Sequence, residues 1–406
     1  MATSVFERQQ VVDLSACKDV VLLAGGNVVT PDAVLDETDV LIAEGHIVAI
    51  GKNLSESTAR HIDVSNKVVM PGMIDLHSDA LEKFIEPRAK ARFPFDVAVT
   101  EFDKYLTSCG ITTMFHCICF METQAWWSIR SVEAAIETVH AINQLAPHLN
   151  VRNKIHARYD LPSVDHLPHV RDLVENEAVH LLSLMDHTPG QGQYGDIEDF
   201  MKNFGKNQKK DVTEDDVQAF IREKEKKQAR IDYDALAALI RLGHEKGIAV
   251  ASHDDDTVEK VEWVHGHGIS ISEFPVTMEA LKAAEAKGMY SGFGAPNYLR
   301  GASHSNNISA RDALAEGLGD FMCSDYAPMA MLHAVFKLLD LNLGALPDLV
   351  RLVSLNPAMA VGLDDDLGSL EVGKLADVIV VDTTTDVPRL SRVFVGGKEM
   401  MSIRTE

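Results

Sequence analysis

Positive charge is scarce in this chain of 406 residues: 38 Lys and Arg stand against 61 Asp and Glu, a formal net charge of -23. Such a field repels phosphate backbones and anionic lipid at long range, so nucleic acid and membranes are not the expected partners. A small anionic substrate stays open, because a local cluster of Arg, Lys and metal outweighs the global field at short range. Cysteine is also sparse, with Cys17, Cys109, Cys117, Cys119 and Cys323. The number is odd and no CxxC occurs, which excludes a secretory disulfide framework. Cys117 and Cys119 lie in the apolar run TTMFHCICF and read as small buried thiols. No apolar run reaches ~18 residues, and MATSVFERQQ does not read as a signal peptide. A reduced, soluble, cytoplasmic protein is expected. No GxGxxG or GxxxxGK[ST] is present, which disfavours an open doubly wound nucleotide-binding sheet.

What is present is repetition of strand and helix. Eight short apolar runs can be named: VVMPGMIDLHSD, ITTMFHCICF, NKIHARYDLP, AVHLLSLMDHTP, GIAVASHDDD, GISISEFPVT, GMYSGFGAP and GDFMCSDYAP. Helix-like segments such as SVEAAIETVHAINQLA and DYDALAALIRLGHEKG separate them. Continuous apolar strands alternating with helices imply a parallel sheet buried on both faces, and eight units imply a (β/α)8 TIM-type barrel. The two ends differ in texture. Residues 19–70 and the tail GSLEVGKLADVIVVD with VPRLSRVFVGGKEM are short alternating strands. The expected division is a small β-sandwich domain from 1–70 plus 366–406 and a barrel over 71–365. A charged insertion near 195–230, in which Thr213 and Asp216 suggest a capping box, reads as a solvated helical excursion or a lid.

The strand ends carry the chemistry. VVMPGMID runs into His77-Ser78-Asp79, where His77 and Asp79 share one face and suit one divalent ion. Asp160 closes KIHARYD, Asp186 and His187 close HLLSLMDH, His253 closes IAVASH, Glu273 lies in ISISEFP, and Asp325 closes FMCSD. Barrel enzymes place catalytic groups at the carboxyl ends of strands. Asp254, Asp255 and Asp256 are expected to cap the next helix. Two divalent ions bridged by a carboxylate lower the pKa of a water, and Asp325 is placed to bind one ion and take the proton. Asp160 and Asp186 both qualify as the bridge.

The stretches PGMIDLHSD, ASHDD and CSDY and the tail NPAMAVGLDDDLGSLEVGKLADVIVVD resemble the amidohydrolase superfamily. Within it, SLMDHTPGQGQY, ASHDDDT, SEFPVT and GAPNYLRGASHSNN are similar to the diphosphatases of phosphonate breakdown, and these segments span most of the barrel. The resemblance implies hydrolysis of a ribose 5-triphosphate ester to the 5-phosphate and pyrophosphate. The superfamily outline implies His77, Asp79, His253 and Asp325 as the first metal ligands, and Asp160, Asp186, His187 and Glu273 complete the candidate set from their strand-end positions. Zinc is the first choice, with manganese, iron and nickel inseparable by ligand list. Lys83, Arg88, Arg158, Arg300 and His304 are assigned to the phosphorylated sugar, with Glu86 orienting a basic neighbour. His116 is expected in the core or behind a ligand. A homodimer and other phosphonate-pathway enzymes are implied as partners by the resemblance alone. A deacetylase or cyclic-amide hydrolase of the same superfamily remains the rival, and a barrel scaffold without catalysis the rival of another class.

Overall fold

The computed structural model describes residues 19–122, 128–186, 221–222, 226–302 and 307–403. Contacts divide the chain into two compact units. One takes the residues up to 74, 105–113 and those from 335 on; the other takes 75–104 and 114–334.

The first sheet is built from both ends of the chain. Its strands are β1 (Val21–Val29), β2 (Val34–Ala43), β3 (His46–Gly51), β4 (Arg60–Asp63) and β5 (Val68–Pro71). The second sheet uses β6 (Met73–Ser78), β7 (Ile111–Phe120), β8 (Arg152–Asp160), β9 (Leu181–Met185), β10 (Ala249–His253), β11 (Ile271–Glu273), β12 (Tyr290–Gly294) and β13 (Phe321–Cys323). β14 (Val378–Asp382), β15 (Arg389–Val395) and β16 (Lys398–Ser402) return to the first. There the order is β16-β15-β14-β5-β1-β2-β3, with β4 also beside β1. Alternate apolar residues of these strands, including Leu23, Val40, Ile42, Val69, Val380 and Phe394, bury a core of their own.

The second sheet runs β6 to β13 in sequence order. Each neighbouring pair from β8 to β13 is parallel. A parallel bridge from Ser78 to Asp325 joins the first strand's end to the last, which makes a (β/α)8 barrel. All eight apolar runs read from the sequence supply its strands. The first run divides between two sheets: Val68–Pro71 joins the terminal sheet and Met73–Ser78 opens the barrel. Gly72 sits at the join, where a Cβ would lie 2.4 Å from the Thr112 side chain.

The helices follow local rules. Tyr233–Glu245 buries Leu236, Leu239, Ile240 and Gly243, a helical stripe, and Asp232 caps it through its carboxylate. Thr257 caps Val258–Gly266 by accepting from the Lys260 amide. The three aspartates before it therefore do not cap that helix. Asp255 instead lies buried, accepting from the hydroxyls of Ser252 and Ser272. The four cysteines among the described residues are buried thiols. No described helix is long and apolar enough to cross a membrane. The insertion lies outside the described residues except for 221–222 and 226–230.

Candidate active site

The buried strand β6 sets the first donor. Asp75 Oδ1 accepts from the amides of Ser324 (3.0 Å) and His77 (3.2 Å), which ties the strand end to the residues after β13. Burial pushes the Asp75 carboxyl up to about 7. Two residues on, His77 Nδ1 lies 3.1 Å from Glu273 Oε1. Its ring centroid is 5.3 Å from that of His253 and 5.2 Å from that of His156. The Phe274 ring packs on His77 at 4.8 Å and on His253 at 5.1 Å. Burial first, then Arg158, holds the His77 imidazole well below its ordinary range, and the neutral ring is the form that ligates metal.

His77, His253 and Glu273 each offer a donor atom within 4.8 Å of the others, all buried. Two imidazoles and a carboxylate from three strands are a donor set for a borderline divalent ion. Glu273 Oε2 is buried and makes no hydrogen bond to the described residues. An acceptor left so in a dry interior is costly unless a cation meets it, so the residues fit a divalent metal.

Backbone strain marks the same strand ends. Asp254, Phe274 and Asp325 adopt φ of 54°, 54° and 58° without being glycine. Each is held by its amide: Asp254 N donates to Glu273 O, Phe274 N to Gly292 O, and Asp325 N to His77 O, all at 2.9 Å. Asp79 N donates back to Asp325 O at 2.8 Å. The turn at Asp325 thus fixes its carboxyl beside β6. Burial first, then Asp79, pushes that carboxyl up to about 7, near the poise of a general base.

The remaining residues named from sequence are distributed as follows. Arg158 reaches His253 with Nη2 3.0 Å from Nε2. His253 Nδ1 lies 3.0 Å from Asp254 Oδ2. Asp79 Oδ2 pairs with Arg130 at 3.0 Å. Asp160 is buried and accepts from Ser163 Oγ at 3.1 Å. Asp186 accepts from Gln228 at 3.1 Å. Lys83, Arg88 and Arg300 are exposed. Glu86 accepts from the Lys90 amide. His187 and His304 lie outside the described residues. His116 is buried against Asn153, with Nε2 2.6 Å from Oδ1.

Sequence reasoning missed four contributors. His156 shares the strand face of Arg158 and Asp160, so parity alone contained the signal. Arg130 bridges Asp79 and Glu82, its Nε 2.8 Å from Glu82 Oε1. Lys260 Nζ donates to the carbonyls of His253 (2.8 Å) and Asp254 (3.0 Å), which braces that strand end. Phe274 walls the imidazoles. For the last three nothing in local sequence announces the role.

Among known proteins, the alpha-D-ribose 1-methylphosphonate 5-triphosphate diphosphatase of Escherichia coli (strain K12) is 33% identical over 335 residues, 82% of this chain and 88% of its own. A dihydroorotase of Halalkalibacterium halodurans is 43% identical over 56 residues, 14% of this chain and 13% of that one. The fold is shared with dihydropyrimidinase from Brevibacillus agri NCHU1002, at a TM-score of 0.64 and 15% identity, covering 94% of this chain and 95% of that one. It is shared too with N-acetylglucosamine-6-phosphate deacetylase from Pasteurella multocida, at 0.63 and 14%, covering 94% and 100%. Residues 68–405 match the amidohydrolase family. With that match over most of its length, and with imidazoles and carboxylates gathered at its barrel's strand ends, the chain belongs to the amidohydrolase family and is a hydrolase.

Proposed function

We propose that this hydrolase cleaves a phosphoric anhydride, converting α-D-ribose 1-methylphosphonate 5-triphosphate to the 5-phosphate and pyrophosphate. The observation that carries the reading is the 33% identity to the Escherichia coli diphosphatase over 82% of this chain. His77, His253, Glu273 and Asp325 are the assigned metal ligands, and their nitrogen and oxygen donors suit zinc. When bound, divalent ions supply charge neutralisation at phosphate oxygens and lower the pKa of water.

Phosphoryl transfer asks the protein mainly for positioning and charge. Asp325, fixed by its backbone pairing with His77 and Asp79, accepts the proton of the attacking water on its carboxylate. Arg158 neutralises a phosphate oxygen from inside the barrel. Phe274 keeps water from the buried faces of the two imidazoles. Lys83, Arg88 and Arg300 are exposed and meet the outer phosphates of a polyphosphate, as does His304. Their local charge offsets the repulsion of an anionic substrate by a chain of net charge -23.

The test is phosphorus NMR of the products formed by metal-loaded protein from the ribose 5-triphosphate ester. Stoichiometric pyrophosphate and 5-phosphate support the reading. Stepwise release of inorganic phosphate moves the attack to another phosphorus and overturns it. The dihydroorotase likeness over 56 residues favours a second reading, cyclic-amide hydrolysis. Ring opening of a cyclic amide with no anhydride cleavage would put that reading in its place.

A further inference from the structure

We propose that His156, on the third barrel strand, is itself a metal ligand, so that its Nε2 and Glu273 Oε2, with His77 beside them, hold a divalent cation. The inference rests on the proposed metal centre, whose ligands His77 and Glu273 it shares, and not on the identity of the substrate.

His156 Nδ1 lies 2.9 Å from the carbonyl oxygen of Leu76, and a carbonyl only accepts. Nδ1 therefore carries the hydrogen, and Nε2 of the neutral ring carries the lone pair. That nitrogen is buried and has no hydrogen-bond partner among the described residues; the same holds for Glu273 Oε2. The two atoms face each other at 3.6 Å, with side chains 0% and 1% exposed.

Two lone pairs directed at one another in a dry interior repel, and each has lost its water. Either a proton or a cation must lie between them. A cation satisfies both. Donors at ~2.0–2.1 Å from one tetrahedral ion sit roughly 3.4 Å apart, near the observed separation. The contact to Leu76 matches the usual arrangement of a ligating histidine, whose other nitrogen donates to a backbone carbonyl and so fixes the ring. His77 stands with its centroid 5.2 Å from that of His156, edge to face. Cys117 Sγ lies 3.5 Å from Nδ1, and His77, Cys117 and His156 offer donor atoms within 4.8 Å of one another. Because β8 also carries Arg158 and Asp160 on the same face, the third strand would feed both metal and substrate.

The full chain is loaded with zinc, freed of unbound ion by gel filtration, and titrated with a chelator while bound zinc per chain is counted by mass spectrometry. Circular dichroism reports the fold. His156→Asn is expected to lower the affinity for one ion by more than the roughly 10–100-fold that loss of an outer-shell partner costs. Wild-type retention of zinc in a folded His156→Asn protein overturns the proposal and leaves a proton as the occupant. Should that variant not fold, His156→Cys keeps a donor at the position. Sulfur scattering beyond that of the wild-type protein in its zinc X-ray absorption spectrum supports ligation, and bound zinc with no added sulfur overturns it. Metal count rather than turnover is read, so failure here leaves anhydride hydrolysis to its own assay.

Discussion

Arg158 Nη2 lies 3.0 Å from Nε2 of His253, the ring nitrogen whose lone pair a metal would use. A guanidinium only donates, so Nε2 is the acceptor, and Nδ1 faces Asp254 Oδ2 at 3.0 Å. Arginine and cation compete for one lone pair. Arg158→Met is expected to tighten binding of the ion at His253 by at least about tenfold, which is ~1.4 kcal/mol. It is also expected to raise KM for the triphosphate, because the arginine released by metal is the one that meets phosphate. Calorimetric zinc titration beside steady-state kinetics checks both; an unchanged zinc affinity would remove the competition.

Asp325→Asn keeps the shape of the turn but not the base. Loss of general base catalysis typically costs roughly 10²–10⁴-fold. Turnover is expected to fall by that much while the thermal midpoint stays within a few degrees. A rate like that of the wild type would strip Asp325 of its assigned part.

Arg130 serves two carboxylates at once, Asp79 at 3.0 Å and Glu82 at 2.8 Å. Burial holds the Glu82 carboxyl above its usual range, Arg130 opposing. Arg130→Met leaves both acids without their counter-ion and is expected to cost about 2–3 kcal/mol, less than a fully buried pair because Asp79 is partly exposed. Without Arg130 the Glu82 carboxyl rises further. A raised carboxyl binds its proton more tightly in the folded state, so it stabilises at low pH and that stability is lost as pH rises. Denaturant midpoints should therefore show the deficit growing from pH 5 to pH 8; a flat deficit contradicts the account.

His116 gives the opposite slope. Burial first, opposed by the bond to Asn153, lowers its imidazole to about 4 from an ordinary 6.5. The folded state binds the proton less readily than the unfolded chain. Its contribution is full above the ordinary value and is lost as pH falls from about 6.5 toward 4, up to roughly 3 kcal/mol. His116→Gln is expected to flatten stability against pH across that window. Equal slopes for both proteins would mean that the ring is not buried neutral.

Gly72 closes the switch between sheets. A Cβ there would stand 2.4 Å from the Thr112 side chain, whose β-branched rotamer is stiff. Gly72→Ala is expected to destabilise by ~1–3 kcal/mol, as overpacking does. Thr112→Ala in the same chain should recover part of that loss, and calorimetry of the pair measures the coupling.

The amino-acid sequence alone determined the barrel, because eight apolar runs alternating with helical stretches leave a parallel sheet covered on both faces few other ways to close. It also placed His77, His253, Glu273 and Asp325 at strand ends, since each follows an apolar run directly. Only the tertiary structure decided which donors meet. That depends on strand stagger and side-chain reach across the barrel, neither of which is written in any one segment. So Glu273 joins His77 while Asp160 turns to Ser163, Asp79 pairs with Arg130, and His156 stands opposite Glu273 from a strand on which the sequence had singled out only Arg158 and Asp160. Gly72 shows the same limit from the backbone: one unbroken apolar run serves two sheets, because its neighbours in space change where its neighbours in sequence do not.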